Sequence, residues 1–254
     1  MNADVPQSTP PPNVGDFDAL YRGDFDALAG DGPPSGPPGF RFDRVPWDIE
    51  EAQPVVRALE AEGEIENDVL DIGCGPGENT IFLAERGYRV WGLDAAPAAI
   101  DIARERAGRR PLDGSVEFEV ADATDLTDWA DRFTTIVDSA LYHCFPEDRR
   151  GAYVAELHRA ARSQSRLHVL CFSDLVPEGF PGPFRIGEDN LRDTLTDGGW
   201  HVRRLERTTY TTAMTRADFE GLGDSPIAAI AASLGYDERG RLLAPAWLAT
   251  AERR

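Results

Sequence analysis

The sequence predicts an α/β protein with one seven-stranded, mostly parallel, doubly wound sheet that ends in a C-terminal antiparallel hairpin. From residue 46 onward, short apolar runs alternate with segments of helical periodicity, as in a parallel sheet with helices on both faces. The first apolar run ends in a glycine-rich turn. The last two strand-like runs, 200–208 and 247–251, have no crossover helix packed between them. That connection predicts an antiparallel pair at the sheet edge.

Each element follows from its local pattern. Strands are short runs of apolar or alternating residues, and helices repeat apolar residues at i, i+3 and i+4. Pro97 opens one helix, because proline suits the first helical turn. The predicted strands are 68–72, 90–93, 116–121, 133–137, 167–172, 200–208 and 247–251. The predicted helices are 49–62, 79–85, one that starts at Pro97, 147–162, 187–197 and 226–234.

Residues 1–44 differ in composition from the domain over 45–254. Proline at 10–12 and the Gly/Pro stretch at 30–39 predict a flexible N-terminal segment. Within it, the sequence Gly-Asp-Phe-Asp-Ala-Leu occurs at 15–20 and again at 23–28. Two interpretations stay open: a disordered tail with a chance duplication, or a lid whose aromatic side chains close over a ligand.

Composition restricts the function. The net charge is −19, which argues against nucleic acid and against an anionic membrane surface as partners. Lysine is absent, which excludes Schiff-base catalysis and the P-loop. Three widely spaced cysteines and four scattered histidines predict free thiols in a reducing cytoplasm and no metal site. We expect a cytoplasmic monomer or weak homodimer.

The candidate site begins at the turn after the first strand, Asp71-Ile72-Gly73-Cys74-Gly75-Pro76-Gly77-Glu78. Glycines at alternate positions let the backbone approach a ligand and turn sharply into a helix. Glu78 stands where the dinucleotide pattern has its third glycine. A carboxylate there disfavours a pyrophosphate and, together with Asp71, favours a ligand that carries an ammonium group.

Aspartates also end the next two strands. Asp94 can accept hydrogen bonds from both ribose hydroxyls of a nucleoside. Asp122 can accept a hydrogen bond from an adenine amino group, and the small side chains of Ala121 and Ala123 leave room for the ring. The carboxyl ends of parallel strands meet at one crevice, so the three carboxylates predict a nucleoside site. The arginine run over 104–110 is predicted as a solvated face.

The run Val69-Leu70-Asp71-Ile72-Gly73-Cys74-Gly75-Pro76-Gly77 resembles motif I of the class I S-adenosylmethionine-dependent methyltransferases. The resemblance extends over 45–254 and implies a Rossmann-like, seven-stranded sheet that ends in an antiparallel hairpin. It implies S-adenosylmethionine as cofactor and S-adenosylhomocysteine as product. The cofactor-binding residues expected on this basis are Asp71, Gly73, Cys74, Gly75, Gly77, Asp94, Ala95, Asp122, Ala123, Asp138, Ser139 and Trp47.

Two stretches bear on the methyl acceptor. Val45-Pro46-Trp47-Asp48 resembles the entry segment of methyltransferases that act on thiocyanate, halides, thiopurines and tellurite. Residues 138–145 together with 206–212 resemble the bacterial heterocyclic-toxin methyltransferases, which O-methylate hydroxylated quinolinones. The Asn/Asp-Pro-Pro-Tyr/Phe run of amino-methylating DNA enzymes is absent after the fourth strand.

The main functional prediction is O-methylation of an aromatic N-heterocycle such as a hydroxyquinolinone, in detoxification or secondary metabolism. One alternative is an S-methyltransferase or a halide or thiocyanate methyltransferase that acts on soft nucleophiles. Two others use the same sheet: a nicotinamide-dependent oxidoreductase, and a cofactor-binding sensor without turnover.

His143 is the candidate catalytic residue, because it follows the fourth strand at the rim where an acceptor would sit. Its predicted role is general base, and the alternative is a histidine that only positions the acceptor or its loop. Methyl transfer is an in-line displacement that depends on positioning and exclusion of water, and soft anionic acceptors need no base. The expected substrate-binding residues are Phe17, Tyr21, Phe25, Trp47, Tyr142, His143 and Phe172.

Overall fold

The computed structural model describes residues 14–25, 43–112, 115–180 and 182–254. Its strands are β1 (Val69–Ile72), β2 (Val90–Asp94), β3 (Val116–Val120), β4 (Phe133–Ser139), β5 (Ala161–Phe172), β6 (Trp200–Thr215), β7 (Gly235–Tyr236) and β8 (Arg241–Arg253). Its helices are α1 (Val14–Tyr21), α2 (Pro54–Ala61), α3 (Glu78–Glu85), α4 (Pro97–Ala107), α5 (Glu147–Ala160), α6 (Glu188–Asp197), α7 (Arg216–Glu220) and α8 (Pro226–Ser233).

The sheet runs in the order β3-β2-β1-β4-β5-β8-β6, and the two-residue β7 pairs with β8 outside this path. Strands β1 to β5 pair in parallel, whereas β8 lies antiparallel between β5 and β6. The predicted fold class is therefore confirmed, including the C-terminal antiparallel pair. The strand order reverses between β1 and β4, which is where open parallel sheets bind ligands.

Helices cover both faces of the sheet because the buried strands are apolar on both sides. On one face Leu70 and Ile72 of β1 join a core with Tyr153 and Leu157 of α5 and residues of α6. On the other face Val69 packs in a cluster with residues of α2 and α3. A third cluster joins α3 and α4 to β3. No helix in the described part of the chain is long and apolar enough to cross a membrane.

The segment between the predicted last strands is more ordered than the sequence indicated. Strand β6 continues to Thr215 and pairs with β8 along most of its length, and α7 and α8 follow it. These elements enclose an apolar cluster at the carboxyl end of β5, which we call the apolar cap. Its buried members include Phe172, Tyr210, Met214, Phe219, Ile227 and Leu242.

Helix α2 starts later than predicted, at Pro54 instead of residue 49. The backbone N–H of Gln53 is bonded to the side chain of Asn79 at 2.9 Å, so the chain is still extended there. Gln53 also exchanges two hydrogen bonds with the backbone of Thr211, at 2.9 and 3.2 Å. The entry to α2 is therefore fixed to the extended part of β6.

Part of the N-terminal segment is folded, which differs from the flexible segment predicted over 1–44. Residues 14–21 form α1, and Leu20 is only 1% exposed. The proline runs at 10–12 and 30–39, and residues 26–28 of the second repeat copy, lie outside the described residues. Phe25, the last described residue of this segment, is half-buried.

Candidate cofactor and acceptor site

The glycine-rich turn lies at the switch point, where β1 ends. Gly73 and Gly75 have φ angles of +69° and +53°, in the left-handed region that favours glycine. A Cβ atom on Gly73 would lie 2.9 Å from the Leu141 Cβ, and one on Gly75 would lie 2.9 Å from the Tyr21 hydroxyl oxygen. Side chains are thus excluded from a turn whose backbone faces the cleft.

Two buried polar atoms stand without partners at the ends of adjacent strands. Asp71, 1% exposed, accepts a hydrogen bond from the Thr80 hydroxyl through Oδ2 at 2.5 Å, and its Oδ1 has no partner among the described residues. The Ser139 hydroxyl at the end of β4 is likewise buried and unpaired within the described chain. Burial, with Asp94 and Asp138 nearby, raises the pKa of Asp71 to about 7. Such orphaned atoms fit the polar end of a ligand.

Asp94 ends β2 beside the glycine-rich turn, and its predicted contact with a ribose stays a prediction. Its Oδ2 accepts the Gly75 N–H and its Oδ1 accepts the Ala96 N–H, both at 2.8 Å. Burial raises the pKa of Asp94 above its ordinary value, and the backbone N–H groups oppose that shift. Each carboxylate oxygen keeps a lone pair for a further hydrogen bond. Ala95 beside it is half-buried.

Asp122 follows β3 and is exposed. Its Oδ1 accepts the backbone N–H and the hydroxyl of Thr124, at 2.8 and 2.7 Å, and this shapes the turn. Ala123 behind it is 8% exposed and belongs to the core. The predicted contact of Asp122 with an adenine amino group stays a prediction.

Glu78 does not remain available for a ligand. Arg106 and Arg110 pair with it at 3.2 and 3.3 Å. Arg106 also binds both oxygens of Asp48, at 3.0 and 2.6 Å. The predicted solvated arginine face therefore holds the Trp47-Asp48 segment against α3 and α4, which no local sequence signal indicated. Of the two carboxylates predicted to favour an ammonium group, Asp71 is the one that keeps an unpaired buried oxygen.

Asp138 and Tyr142 have structural roles instead of the predicted binding roles. The Asp138 carboxylate accepts the N–H groups of Leu141 and Tyr142, at 2.8 and 3.2 Å, and the Tyr153 hydroxyl at 2.8 Å. It therefore fixes the turn after β4. This turn directs Tyr142 into the core, where it is fully buried and bonds Asn190.

His143 is buried at the end of the same turn, and its Nδ1 accepts the Phe172 N–H at 2.8 Å. A neutral imidazole whose Nδ1 is an acceptor carries its proton on Nε2. Burial and the Arg150 charge lower the pKa of His143 to about 3, although the Ala140 carbonyl opposes the shift. The lone pair that the predicted general base requires is therefore occupied. At neutral pH the ring can offer an N–H donor and no free base.

Aromatic rings pack next to His143, at the carboxyl end of β5. Phe172 lies 4.7 Å from the His143 ring and 5.7 Å from Tyr210, both edge to face. Trp47 makes edge contacts with Phe17 at 5.5 Å and Tyr21 at 6.1 Å, and it packs against the apolar cap. Ring contacts and packing thus connect Phe172 and His143 with Trp47, Phe17 and Tyr21, and the substrate-binding role of these residues stays a prediction.

Tyr210 was absent from the predicted site residues. It is 4% exposed in the apolar cap, and burial raises the pKa of its hydroxyl well above the ordinary value. In the sequence, Tyr210 is indicated only by the resemblance of residues 206–212 to the heterocyclic-toxin methyltransferases. The residues that the structure describes contain no cluster of His, Cys, Asp and Glu that could hold a metal.

Comparisons with known proteins agree with this geometry. A family model described as a methyltransferase domain matches residues 69–164. Over 154 residues the chain is 40% identical to the 2-heptyl-1-hydroxyquinolin-4(1H)-one methyltransferase of Mycobacteroides abscessus, which covers 60% of this chain and 67% of that protein. It is 25% identical to thiocyanate methyltransferase 1 of Brassica oleracea over 70% of this chain and 78% of that protein.

Solved structures give the same result. A structure described as the conversion of a disulfide bond into a thioacetal group during echinomycin biosynthesis is 35% identical, with a TM-score of 0.71. The match covers 95% of this chain and 93% of that chain. Magnesium protoporphyrin IX methyltransferase of Synechocystis with bound S-adenosylmethionine shares the fold at 21% identity, over 79% and 76% of the two chains, with a TM-score of 0.54.

The residues present fit this cofactor: Asp94 keeps lone pairs that could accept ribose hydroxyls, Gly73 and Gly75 give the turn its left-handed backbone, and the unpaired Asp71 oxygen could accept a cationic group. The nicotinamide-dependent alternative loses its support. The chain belongs to the class I small-molecule methyltransferases and uses S-adenosylmethionine as its cofactor.

Proposed function

We propose that this enzyme methylates the hydroxyl oxygen of an aromatic N-heterocycle of the hydroxyquinolinone class. The observation that carries the proposal is the aromatic cluster of Phe172, Tyr210 and Trp47, in which Tyr210 lies close enough to Asp71 to feel its charge. Such a cluster suits a flat ring. The 40% identical relative that is named for a hydroxyquinolinone supports the same class.

The cofactor supplies a methyl group on a sulfonium, and the protein positions an acceptor atom in line with it. The apolar cap excludes water from the acceptor side, which favours the reaction of an anion with a cation because charge is dispersed as they react. His143 shares its Nε2–H, which also faces the Ala140 carbonyl, with the acceptor oxygen and orients it. Its backbone carbonyl also accepts the Phe184 N–H at 3.0 Å, which fixes the loop after β5.

The acceptor arrives ionised in this mechanism, because the described residues around His143, apart from the carboxylates assigned to the cofactor, include no free base. Nδ1 of His143 is occupied, Asp138 already accepts three hydrogen bonds, and Asp48 is paired with Arg106. Burial holds the pKa of the Tyr210 hydroxyl far above neutrality. An N-hydroxy heterocycle meets this requirement, since its hydroxyl is far more acidic than that of an alcohol.

A second candidate function is methylation of a soft sulfur acceptor. The 35% identical structure, which matches 95% of this chain, is described by a disulfide-to-thioacetal conversion, and thiocyanate methyltransferase 1 is a further relative. A thiolate needs neither a base nor a hydrogen bond from His143. The same apolar cleft suits both acceptors, so the acceptor atom has to be tested directly.

Release of S-adenosylhomocysteine with a panel of hydroxyquinolinones, phenols, thiols and iodide tests these candidates. Turnover that is highest with N-hydroxyquinolinones supports the proposal. Turnover with thiols or iodide alone replaces it by the soft-acceptor function. Binding of S-adenosylmethionine without turnover on the whole panel leaves the cofactor assignment standing and contradicts both acceptor classes.

We also propose that the protein acts in the cytoplasm as a monomer or weak homodimer, without nucleic-acid or membrane partners. The support for this proposal is the net charge of −19 and three cysteines that form no disulfide.

A further inference from the structure

Helix α1 lies directly over the glycine-rich turn. The Tyr21 hydroxyl oxygen sits 2.9 Å from the point where a Cβ atom of Gly75 would lie. Tyr21 accepts a hydrogen bond from the Trp47 indole N–H at 2.7 Å. The preceding residue of α1, Leu20, is buried. The N-terminal segment therefore contributes a wall to the cofactor site, although the sequence predicted Tyr21 as a substrate-binding residue.

The proton of the Tyr21 hydroxyl has no acceptor among the described residues. The hydroxyl is the acceptor in its bond with Trp47, so its own O–H is left over. Burial and the charge of Asp94 raise the pKa of Tyr21 well above its ordinary value, which keeps the hydroxyl protonated at neutral pH. A hydrogen-bond donor thus lies above Gly75, near the Asp94 carboxylate.

Asp18 fixes the position of α1. Its Oδ1 accepts the backbone N–H of Ala98 at 2.8 Å, in the first turn of α4. Helix α4 has Ala96 at its N-cap and no side-chain cap of its own, so Asp18 supplies the cap from another element. Arg22 pairs with the second oxygen of Asp18 at 2.8 Å.

The start of α4 connects α1 to the cofactor site. Asp94 accepts the N–H of Ala96 and Asp18 accepts the N–H of Ala98, so two carboxylates bind the same helix terminus. A shift of α1 away from α4 would move Tyr21 away from Gly75. The contact of Asp18 with α4 therefore fixes the distance between the Tyr21 hydroxyl and the glycine-rich turn.

We propose that Tyr21 is a cofactor-binding residue, whose hydroxyl donates a hydrogen bond to an oxygen of S-adenosylmethionine above Gly75, and that Asp18 is the positioning residue that holds it there. The oxygen belongs to the ribose or to the carboxylate of the amino-acid tail. The inference rests on the cofactor assignment and is independent of the acceptor. Failure of the proposed acceptor class would leave it unchanged.

Calorimetric binding of S-adenosylhomocysteine to the full chain tests it without any acceptor. We expect Tyr21→Phe to weaken binding about 5- to 10-fold through the loss of one hydrogen bond. Asp18→Ala should weaken it to a similar degree, and Asp18→Asn should recover most of the loss, because asparagine caps helices as well as aspartate does. Asp24→Ala is the matched control, since Asp24 is exposed in the same segment and should bind like wild type.

Two further measurements separate a binding role from a merely structural one. Trypsin cuts after arginine, and Arg22 is the first arginine of a chain without lysine. S-adenosylhomocysteine should slow cleavage after Arg22 in wild type, and Asp18→Ala should speed it. 5′-Methylthioadenosine, which lacks the amino-acid tail, should lose affinity for Tyr21→Phe only if the ribose is the partner.

Binding to Tyr21→Phe that equals or exceeds that of wild type would overturn the proposal, because the hydroxyl would then cover the site without binding the cofactor. If Asp18→Ala and Asp24→Ala bind S-adenosylhomocysteine with equal affinity and are cleaved after Arg22 at equal rates, Asp18 is not a positioning residue for Tyr21. A change of the apparent KM for S-adenosylmethionine that exceeds the change of kcat in Tyr21→Phe supports the binding role.

Discussion

Substitution of His143 by glutamine distinguishes a general base from a hydrogen-bond donor. The glutamine carbonyl can accept the Phe172 N–H, and the glutamine amide can donate as Nε2–H does, but the side chain takes up no proton at neutral pH. Loss of a general base costs about 10²- to 10⁴-fold in rate. Loss or weakening of one hydrogen bond costs about 3- to 10-fold. We expect His143→Gln to lower kcat by about 10-fold or less.

The lowered pKa of His143 also predicts how the free energy of unfolding depends on pH. The pKa of His143 falls from 6.5 to about 3 on folding. Below pH 6.5 the His143 side chain of the unfolded chain is protonated, whereas that of the folded chain stays neutral down to about pH 3. This group therefore lowers the free energy of unfolding as the pH falls from 6.5 to about 3. At pH 5 the effect amounts to about 2 kcal/mol. His143→Gln should abolish that part of the acid sensitivity.

Both quantities can be measured on one pair of proteins. Initial rates from pH 5 to 9 with an N-hydroxyquinolinone should show an inflection at the pKa of the acceptor itself, in wild type and variant alike. Urea unfolding at pH 5 and pH 8 gives the stability difference. A rate loss above about 100-fold with an ionised acceptor, or an inflection near pH 6.5 that disappears in His143→Gln, would refute the assignment.

Three further predictions concern the cofactor site and the turn after β4. Burial raises the pKa of Asp71 to about 7, and a cationic ligand binds this carboxyl only in its ionised form. The affinity for S-adenosylhomocysteine should therefore rise about 10-fold between pH 6 and pH 8. An affinity that calorimetry finds independent of pH would contradict this prediction. Gly77→Ala places a Cβ 2.9 Å from two side-chain atoms at a φ of +85° and should cost about 2–4 kcal/mol in urea unfolding. Gly87→Ala, with a φ of +89° and open space, should cost only about 1–2 kcal/mol, and equal losses would show that crowding is unimportant. Tyr153→Phe removes a 2.8 Å hydrogen bond to the buried Asp138 and should lower the unfolding free energy by about 1.5–3 kcal/mol, with an unchanged urea midpoint as the contrary result.

Local sequence signals were sufficient for most of the fold. The alternation of apolar runs and helical periods predicts the parallel strands, because the period of side-chain direction is a property of each element alone. Asp71 and Asp94, together with the alternate glycines, could be assigned to one crevice because parallel strands end at the same edge of a sheet. Strand ends were less exact: β6 continues to Thr215 because β8 offers it a partner, which no local pattern encodes.

The roles of single side chains around the acceptor depended on contacts distant in sequence. His143 looked like a base until the Phe172 N–H occupied its Nδ1, and that bond joins residues 29 positions apart. The sequence predicts Tyr142 as a substrate-binding residue, but the hydrogen bonds of Asp138 direct it into the core.

The sequence by itself determined the sheet, the glycine-rich turn and the carboxylates at the strand ends, because these follow from residue type and spacing within single elements. Only the tertiary structure decided what α1 does and which groups remain free for chemistry. The contact of Asp18 with Ala98 spans 80 residues, and that of Gln53 with Thr211 spans 158. A lone pair is available to a substrate only where no other part of the chain has already used it, and burial, which sets the pKa, is a property of the packed whole.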